Sequence, residues 1–473
     1  MNKTGRIALW TAAAAAGGCL GWQAVRRADD QRRNGEAARG KHIVIVGAGF
    51  GGTNAARELA RLLPGPDDGQ ITLIDQHPYM LFTPMLTEAA GGEIDPRHIV
   101  SPVQHLPARV CFVQGRVQKL DLSSKTVTLE VGEPDIPQAV RTIRADQLVL
   151  ALGSESNFHH IPGVEEHSLT MKKIEDASAV AHRAISLIQR AAAEPDEHLR
   201  RALLTFVVGG GGYTGAETMA ALNDMVRDTV AQHPRLKAEE IRTIIIEPGP
   251  RLLAEITPDL AAYAQRKLEE RQVEVLLNTK IAGAGDGYVE LEGGRRIETQ
   301  MLIWTAGVKP NSLLDQLNAA KGKHGGLVVD PCCAVKGQAA VWALGDCAEI
   351  PQPDGSPYAP TAQNATREGV QVARNIVAVL RGESPKPFVY VPIGELALVG
   401  KRTGVARVYG HNFSGFTAWA MWRAVYLAKM PGLGQRARIL TDWLLDFAFG
   451  RPDAALPARG ADAPAQVPQP AVH

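Results

Sequence analysis

Two kinds of hydrophobic pattern alternate along this chain. Short runs of consecutive apolar and β-branched residues predict buried parallel strands, and longer segments with apolar residues every three or four positions predict helices. Runs of the first kind lie at Ile43–Val46, Ile71–Ile74, Leu203–Val208 and Thr243–Ile246. Strands that alternate with helices predict an α/β fold with parallel sheets.

The first strand leads into a glycine-rich loop. Gly47, Gly49 and Gly52 form the pattern GxGxxG, a helix is predicted over Thr53–Leu63, and the next strand ends at Asp75. In this order the glycines permit a tight turn, a close approach of a diphosphate and close packing of helix on strand, while the acid accepts hydrogen bonds from a ribose. The segment therefore predicts a Rossmann-like dinucleotide site.

The same arrangement occurs a second time. Gly210, Gly212 and Gly215 follow the third strand, and the strand at Thr243–Ile246 ends at Glu247. Two sites imply two dinucleotides, which a redox pair explains economically. Glu247 would repel a 2′-phosphate and favours NADH over NADPH, although Arg251 could soften that preference.

Three further apolar strands end in glycine turns. They lie within Asp146–Ser154, Met301–Pro310 and Ala339–Ala348. The last contains Gly345-Asp346, and an aspartate just beyond a buried strand can bind a hydroxylated chain.

These motifs together resemble the flavoprotein superfamily with two dinucleotide-binding domains. Within it, the stretch Leu73–Ile99, the AQNA segment Ala362–Ala365 and the ending WRAVYLAKMPG…RARILTDWLLDFAFGRPD resemble type II NADH dehydrogenases, the single-subunit, non-proton-pumping NADH:quinone oxidoreductases. The resemblance covers residues 41 to about 452. It implies two Rossmann-like domains, the NADH domain inserted in the FAD domain, followed by a C-terminal membrane-associating helical segment.

The resemblance also assigns ligands to residues. It places Glu217 near the nicotinamide and the flavin; on pattern alone, Glu217 is equally a helix carboxylate near a positive helix end. The implied FAD residues are Gly47, Gly49, Gly52, Asp75 and Asp346, and the implied NADH residues are Gly210, Gly212, Gly215 and Glu247.

One position departs from the family pattern. The family has AQxAxQ at its quinone site, where this chain has Gln363 at the first glutamine and Arg367 at the second. A guanidinium can still donate to a quinone carbonyl, but it adds a fixed charge and bulk. The substitution either tunes the acceptor or indicates an acceptor other than an ordinary quinone.

The implied domain organisation has six parts. They are an N-terminal apolar anchor and linker at 1–40, FAD-binding parts at 41–160 and 300–384, an NADH-binding domain at 161–299, a membrane-association region at 385–450 and a disordered tail at 451–473.

Charge and cysteine content narrow the function classes. Lys plus Arg number 51 and Asp plus Glu 50, so the net charge is +1, which disfavours nucleic acid as a partner. The five cysteines form no CxxC motif, so neither a metal site nor a redox dithiol is predicted. Within the superfamily, disulfide reductases need a redox cysteine pair and sulfide:quinone oxidoreductases need reactive cysteines near the flavin, so both become runners-up. Few, unpaired cysteines also suit a reducing compartment.

Both ends of the chain suggest a membrane. Residues 7–25 carry no charge and predict an anchor, a signal peptide or a tail-like helix; the basic residues after them favour the cytoplasmic face of the inner membrane. A helix is predicted over Arg436–Phe449. One of its faces should be apolar, suited either to lipid or to packing on the protein's own core, and Thr441, Asp442 and Asp446 should lie on the opposite face. The apolar face is Ile439, Leu440, Trp443, Leu444 and Phe447.

The leading hypothesis is a peripheral-membrane NADH:quinone oxidoreductase with FAD and NADH as cofactors and membrane lipid and quinone as partners. The alternatives are an FAD-dependent NAD(P)H reductase of a soluble acceptor and a flavin-based redox sensor. The pattern leaves the oligomeric state open, with a homodimer as one arrangement.

Overall fold

The computed structural model describes residues 31–132 and 139–450, which form two compact units. Among these residues, the first unit contains the chain up to Met80, Pro102–Ser154 and Lys309–Tyr390. The second contains Leu81–Ser101, Glu155–Val308 and the chain from Val391. The proposed anchor at 7–25 and the tail at 451–473 lie outside the described residues. Within the described residues, no helix is both long and apolar enough to cross a bilayer.

The first unit is built on a seven-stranded sheet. Five strands are parallel. The last of them, the long strand Val110–Asp121, also pairs antiparallel with Thr126–Val131, which in turn pairs antiparallel with Val140–Arg144. In spatial order the strands are Val341–Ala343, Gln147–Leu150, His42–Val46, Gln70–Asp75, Val110–Asp121, Thr126–Val131 and Val140–Arg144. Four of the parallel strands are buried on both faces, as their apolar runs predict, whereas Val110–Asp121 is only partly buried.

Two helices of the first unit pack closely together. Helix Phe50–Leu62 lies against helix Ala362–Leu380. Gly51 and Gly369 meet at this contact, where a Cβ on Gly369 would collide with the carbonyl oxygen of Gly51. The absence of side chains therefore fixes the second helix beside the first glycine-rich loop.

The second unit contains a five-stranded parallel sheet. Its strands in spatial order are Ser168–Leu169, Leu302–Trp304, Thr205–Gly209, Arg242–Ile246 and Val273–Leu276. Its helices are Leu86–Ala90, Val164–His167, Ile174–Ala193, Glu197–Leu203, Tyr213–Ala231 and Pro258–Glu270. An antiparallel sheet of Ile281–Gly285, Tyr288–Leu291 and Arg296–Glu298 packs its apolar side into the core of this unit.

The C-terminal part of the second unit is a three-stranded antiparallel sheet followed by two helices. The strands are Gly394–Leu398, Gly404–Val408 and His411–Ser414, and the helices are Gly415–Lys429 and Leu433–Phe449. Short strands in the boundary segments are Tyr79–Leu81, Val100–Pro102, Ser154–Ser156 and Val308–Pro310, and a further pair, Leu327–Val328 with Ala348–Glu349, belongs to the first unit.

Two expectations about the ends of the described chain need correction. Residues 31–38, which the sequence suggested were linker, are helical, and Asn34 and Ala38 are buried. Arg381 donates to the Asn34 side chain at 3.1 Å, which ties this helix to the first unit. The predicted apolar face of the last helix is also wrong in part, as described below.

Candidate functional site

The first glycine-rich loop, Gly47–Gly52, contains two glycines that cannot carry a side chain in this fold and one that could. Gly47 has a φ of +106°, and a Cβ there would meet the carbonyl of Ala151. A Cβ on Gly52 would collide with the carbonyl oxygen of Gly47. Gly49, by contrast, has no neighbouring atom within 4 Å of a Cβ position. The middle glycine therefore leaves its backbone open for close approach of a ligand.

The second glycine-rich loop, Gly210–Gly215, repeats this arrangement. Gly210 has a φ of +109°, and a Cβ on Gly215 would collide with the Gly210 carbonyl oxygen. Gly212 again faces open space within 4 Å. In each loop the middle glycine directly precedes a helix, so the N–H groups of the first helical turn are oriented toward the same opening.

The two acidic residues make the same pair of hydrogen bonds in each unit. Asp75 accepts from the backbone N–H of Ala48 at 2.6 Å and of His77 at 2.8 Å. Glu247 accepts from the N–H of Gly211 at 2.6 Å and of Gly249 at 2.7 Å. In both cases the donors are the residue after the first glycine and the residue two positions after the acid. The carboxylates are thus held beside the loops, where a ribose can reach their remaining lone pairs.

Asp346 lies at the carboxyl edge of the first sheet, as its position after a buried strand predicts. It sits in the short 3-10 helix Gly345–Cys347 and accepts a hydrogen bond from the hydroxyl of Ser154 at 2.5 Å. Glu368 accepts from the N–H of Gly345 at 2.7 Å and is buried. Burial, together with the charge of Asp346, raises the pKa of Glu368 to about 7, although that hydrogen bond acts in the opposite direction. Neither Ser154 nor Glu368 is predicted as a site residue from the sequence.

A small cavity lies beside this turn. Asn364 lines it together with Gly345, Tyr358 and Glu368. The Asn364 side chain is buried. Its amide N–H donates to the carbonyl of Ala359 at 2.8 Å, but its Oδ1 has no hydrogen-bond partner among the described residues. A buried acceptor without a donor is costly, so this oxygen is suited to an N–H or O–H group of a bound molecule or a water.

Gln363 and Arg367 come together around a third residue, Tyr390. The Tyr390 hydroxyl donates to Gln363 Oε1 at 3.1 Å, and the Arg367 guanidinium lies 4.0 Å from the centre of the Tyr390 ring. Arg367 also donates to the Gln363 backbone carbonyl at 2.9 Å. Tyr390 was not predicted, and its only sequence signal is an aromatic residue in an otherwise extended, Pro- and Val-rich segment.

Glu217 lies in helix Tyr213–Ala231 and contacts the C-terminal segment of the second unit. Its Oε1 accepts from the backbone N–H of Leu398 at 3.0 Å and from the indole N–H of Trp422 at 3.1 Å. Loss of hydration raises the pKa of Glu217 to about 8, although both hydrogen bonds act in the opposite direction. The residue is therefore a carboxyl group that can hold or release a proton near neutral pH.

The last helix divides its apolar residues between two faces, contrary to the predicted single face. Ile439 and Trp443 are buried, whereas Leu440, Leu444 and Phe447 are exposed. The predicted polar side is not free either, because Asp442 contacts the ring of His98 at 2.6 Å and accepts from the N–H of Asp95. The buried stripe therefore mixes apolar and polar residues, and the exposed stripe is the more apolar one.

Arg423 joins the two C-terminal helices to the segment Glu88–Glu93. Its guanidinium lies 4.5 Å from the ring centres of both Trp419 and Trp443 and pairs with Glu88 at 3.1 Å and Glu93 at 2.7 Å. Glu88 is buried, which raises the pKa of its carboxyl well above the usual range together with the charge of Glu93. The stretch that carries the family resemblance at Leu73–Ile99 thus supplies the surface that holds these helices.

Comparisons with known proteins agree with this architecture. Residues 41–369 match the family model of pyridine nucleotide-disulphide oxidoreductases, so the chain belongs to that family. Residues 393–452 match the NDH2 C-terminal domain. The chain is 30% identical to the type II NADH:quinone oxidoreductase NdhA of Mycobacterium tuberculosis over 431 residues, which are 87% of this chain and 88% of the relative. Within the family it therefore belongs to the type II NADH:quinone oxidoreductases.

Two further relatives extend the comparison. A probable NADH dehydrogenase of Dictyostelium discoideum is 28% identical over 428 residues, covering 89% of this chain and 92% of that protein. The solved structure of NDH2 from Plasmodium falciparum in complex with NADH superposes with a TM-score of 0.80 at 19% identity, covering 88% of this chain and 100% of that one. The match to the Plasmodium falciparum structure supports the fold.

Proposed function

We propose that this chain transfers two electrons from NADH through FAD to a membrane quinone, without pumping protons. The observation that carries the proposal is the repeated site: two glycine-rich loops, each with an open middle glycine and an acid held by the same two backbone N–H groups. In a family of NADH:quinone oxidoreductases, two dinucleotide sites on one chain are suited to NADH as the electron donor and FAD as the redox cofactor.

The residues present fit FAD in the first unit. The open space at Gly49 would admit a diphosphate, Asp75 would accept from the adenosine ribose, and Asp346 with Ser154 would bind a ribityl chain. The orphaned Oδ1 of Asn364 can accept from a bound molecule at the same edge of the sheet. Bound FAD would accept hydride from NADH and pass the electrons on.

The second unit fits NADH rather than NADPH. A 2′-phosphate would lie against the carboxylate of Glu247, and Arg251 donates to the Ala254 carbonyl at 2.6 Å, which directs part of its guanidinium into its own loop. Glu217, with a pKa near 8, would hold a proton for the exchange in which NADH, H⁺ and quinone become NAD⁺ and quinol. Gln363 and Arg367 would donate to the acceptor.

The exposed face of the last helix supports a membrane location. Leu440, Leu444 and Phe447 are exposed beside Arg436 and Arg438 at the helix start, a combination suited to the headgroup layer. We propose peripheral attachment to the cytoplasmic face of the inner membrane, with residues 7–25 as an additional anchor.

The test uses the purified full-length chain loaded with FAD. Under anaerobic conditions NADH should bleach the flavin absorbance in a stopped-flow instrument, and ubiquinone or menaquinone analogues should restore it, faster in the presence of liposomes. Bleaching that no quinone reverses would contradict the proposal and favour a redox sensor. Restoration only by soluble acceptors would favour a soluble-acceptor reductase, which the arginine at position 367 makes the second candidate.

A further inference from the structure

We propose that the acceptor site prefers an electron acceptor with a negatively charged substituent, and that Arg367 confers this preference. The proposal rests on the proposed function, because it names the class of oxidant used at the same site. It is argued from two observations: the Arg367 side chain is fixed in position, and no carboxylate of the described residues neutralises its charge.

The Arg367 side chain is held at two points. Its guanidinium stacks on Tyr390 at 4.0 Å, and one of its N–H groups donates to the Gln363 carbonyl at 2.9 Å. Tyr390 is itself anchored by its hydroxyl on Gln363 Oε1. A stacked guanidinium keeps the N–H groups at its edge available, and little rotational entropy remains to be lost when an acceptor binds them.

The charge of Arg367 is not balanced within the described part of the chain. No carboxylate there lies within the 4.0 Å of an ion pair, whereas Arg374, two turns further along the same helix, pairs with Glu58 at 2.9 Å. The adjacent acid, Glu368, points to the N–H of Gly345 instead. Arg367 also reaches back to the first turn of helix Ala362–Leu380, where the helix dipole adds positive potential.

An unbalanced, partly buried and fixed cation costs stability unless a ligand supplies the opposite charge. The ligand class that fits is a quinone with an ionised substituent such as a sulfonate or carboxylate. Its reduction balances in the ordinary way: NADH gives up two electrons and its hydride hydrogen, one proton comes from water, and both quinone carbonyls become hydroxyls. The substituent keeps its charge throughout, and Arg367 acts only as a hydrogen-bond donor.

The test compares two quinones with the FAD-loaded full chain: neutral 2-methyl-1,4-naphthoquinone and anionic 1,4-naphthoquinone-2-sulfonate. The readout is the kcat/KM for the sulfonate divided by that for the neutral quinone. In Arg367→Gln this ratio should fall about tenfold, the size of one charge-assisted hydrogen bond. Arg367→Lys should retain part of the ratio, and added salt should lower it in the wild type.

Arg141→Gln is the matched control, because Arg141 is an exposed arginine of the same unit and its loss changes the net charge equally. Its ratio should equal that of the wild type. Tyr390→Phe keeps the ring under the guanidinium and should preserve the ratio better than Tyr390→Leu. If both quinones turn over but Arg367→Gln leaves the ratio within twofold, the charge preference is overturned and the proposed function stands. If neither quinone reoxidises the flavin, the proposed function itself fails.

Discussion

The indole N–H of Trp422 donates to the carboxyl of Glu217, 205 residues earlier in the chain, at 3.1 Å. Trp422 is fully buried and lies 4.6 Å from the ring centre of Tyr426 in an edge-to-face arrangement. This hydrogen bond and the one from the N–H of Leu398 lower the pKa of Glu217 and so oppose the larger effect of burial.

Glu217 should make the stability of the protein depend on pH. Its folded pKa of about 8 lies above the ordinary value of 4.5, so the folded state holds a proton that the unfolded state releases. Stability should therefore fall as pH rises from about 5 to about 8 and level off above that range. Glu217→Gln should remove this part of the slope in thermal melts recorded from pH 5 to pH 9.

Trp422→Phe provides a second check on the same group. It removes a hydrogen bond to the ionised carboxylate, so the pKa of Glu217 should rise and the loss of stability should extend to higher pH. An unchanged slope in Glu217→Gln would show that another group titrates in this range.

The middle and last glycines of each loop should respond differently to alanine. Gly49→Ala meets open space, so the melting temperature of the FAD-free protein should stay unchanged while FAD affinity falls roughly tenfold or more. Gly52→Ala collides with the Gly47 carbonyl and should destabilise the protein by about 1–3 kcal/mol. In the second loop, Gly212→Ala should likewise weaken NADH binding without changing the melting temperature, and Gly215→Ala should lower stability. Equal melting temperatures for both members of a pair would contradict the division.

Arg423→Leu should lower the free energy of unfolding by about 3–5 kcal/mol in urea. The change removes the guanidinium that lies beside two tryptophan rings and pairs with Glu88 and Glu93. Glu88→Gln should cost much less, since one oxygen of that buried carboxyl has no hydrogen-bond partner in the part of the chain that the structure describes. Arg438→Leu, at an exposed position, serves as the control and should leave the unfolding curve unchanged. Limited proteolysis should cut the C-terminal helices first in Arg423→Leu.

The exposed face of the last helix should govern membrane binding. Replacing Leu440, Leu444 and Phe447 together by serine should abolish flotation with liposomes without lowering the melting temperature, because all three are exposed. Ile439→Ser is the contrasting variant: Ile439 is fully buried, so stability should fall by about 2–4 kcal/mol. Full flotation of the triple variant would rule out this face as the lipid contact.

Local sequence spacing was enough to predict both glycine-rich loops and their acids. The turn at Gly47, the close contact at Gly52 and the position of Asp75 all follow from strands and helices that are adjacent in sequence. Chain topology then brings Asp346 to the same sheet edge, because the carboxyl ends of parallel strands share that edge.

Contacts between distant segments could not be predicted in this way. Ser154 meets Asp346 across 192 residues, and Tyr390 meets Gln363 across 27 residues with no periodic signal. The face of the last helix was misassigned because a helical projection cannot show which apolar stripe is packed. Here Asp442 contacts His98, and Ile439 and Trp443 are buried, so the packed side includes a predicted polar residue.

No neighbouring atom of residues 31–132 or 139–450 lies within 4 Å of a Cβ placed on Gly49 or Gly212, so we expect that neither loop needs a ligand to complete its packing. We therefore expect the polypeptide to fold before it receives its coenzymes, and a pale preparation would indicate a shortage of riboflavin derivatives during expression rather than misfolded protein. Such material should turn yellow when FAD is added back.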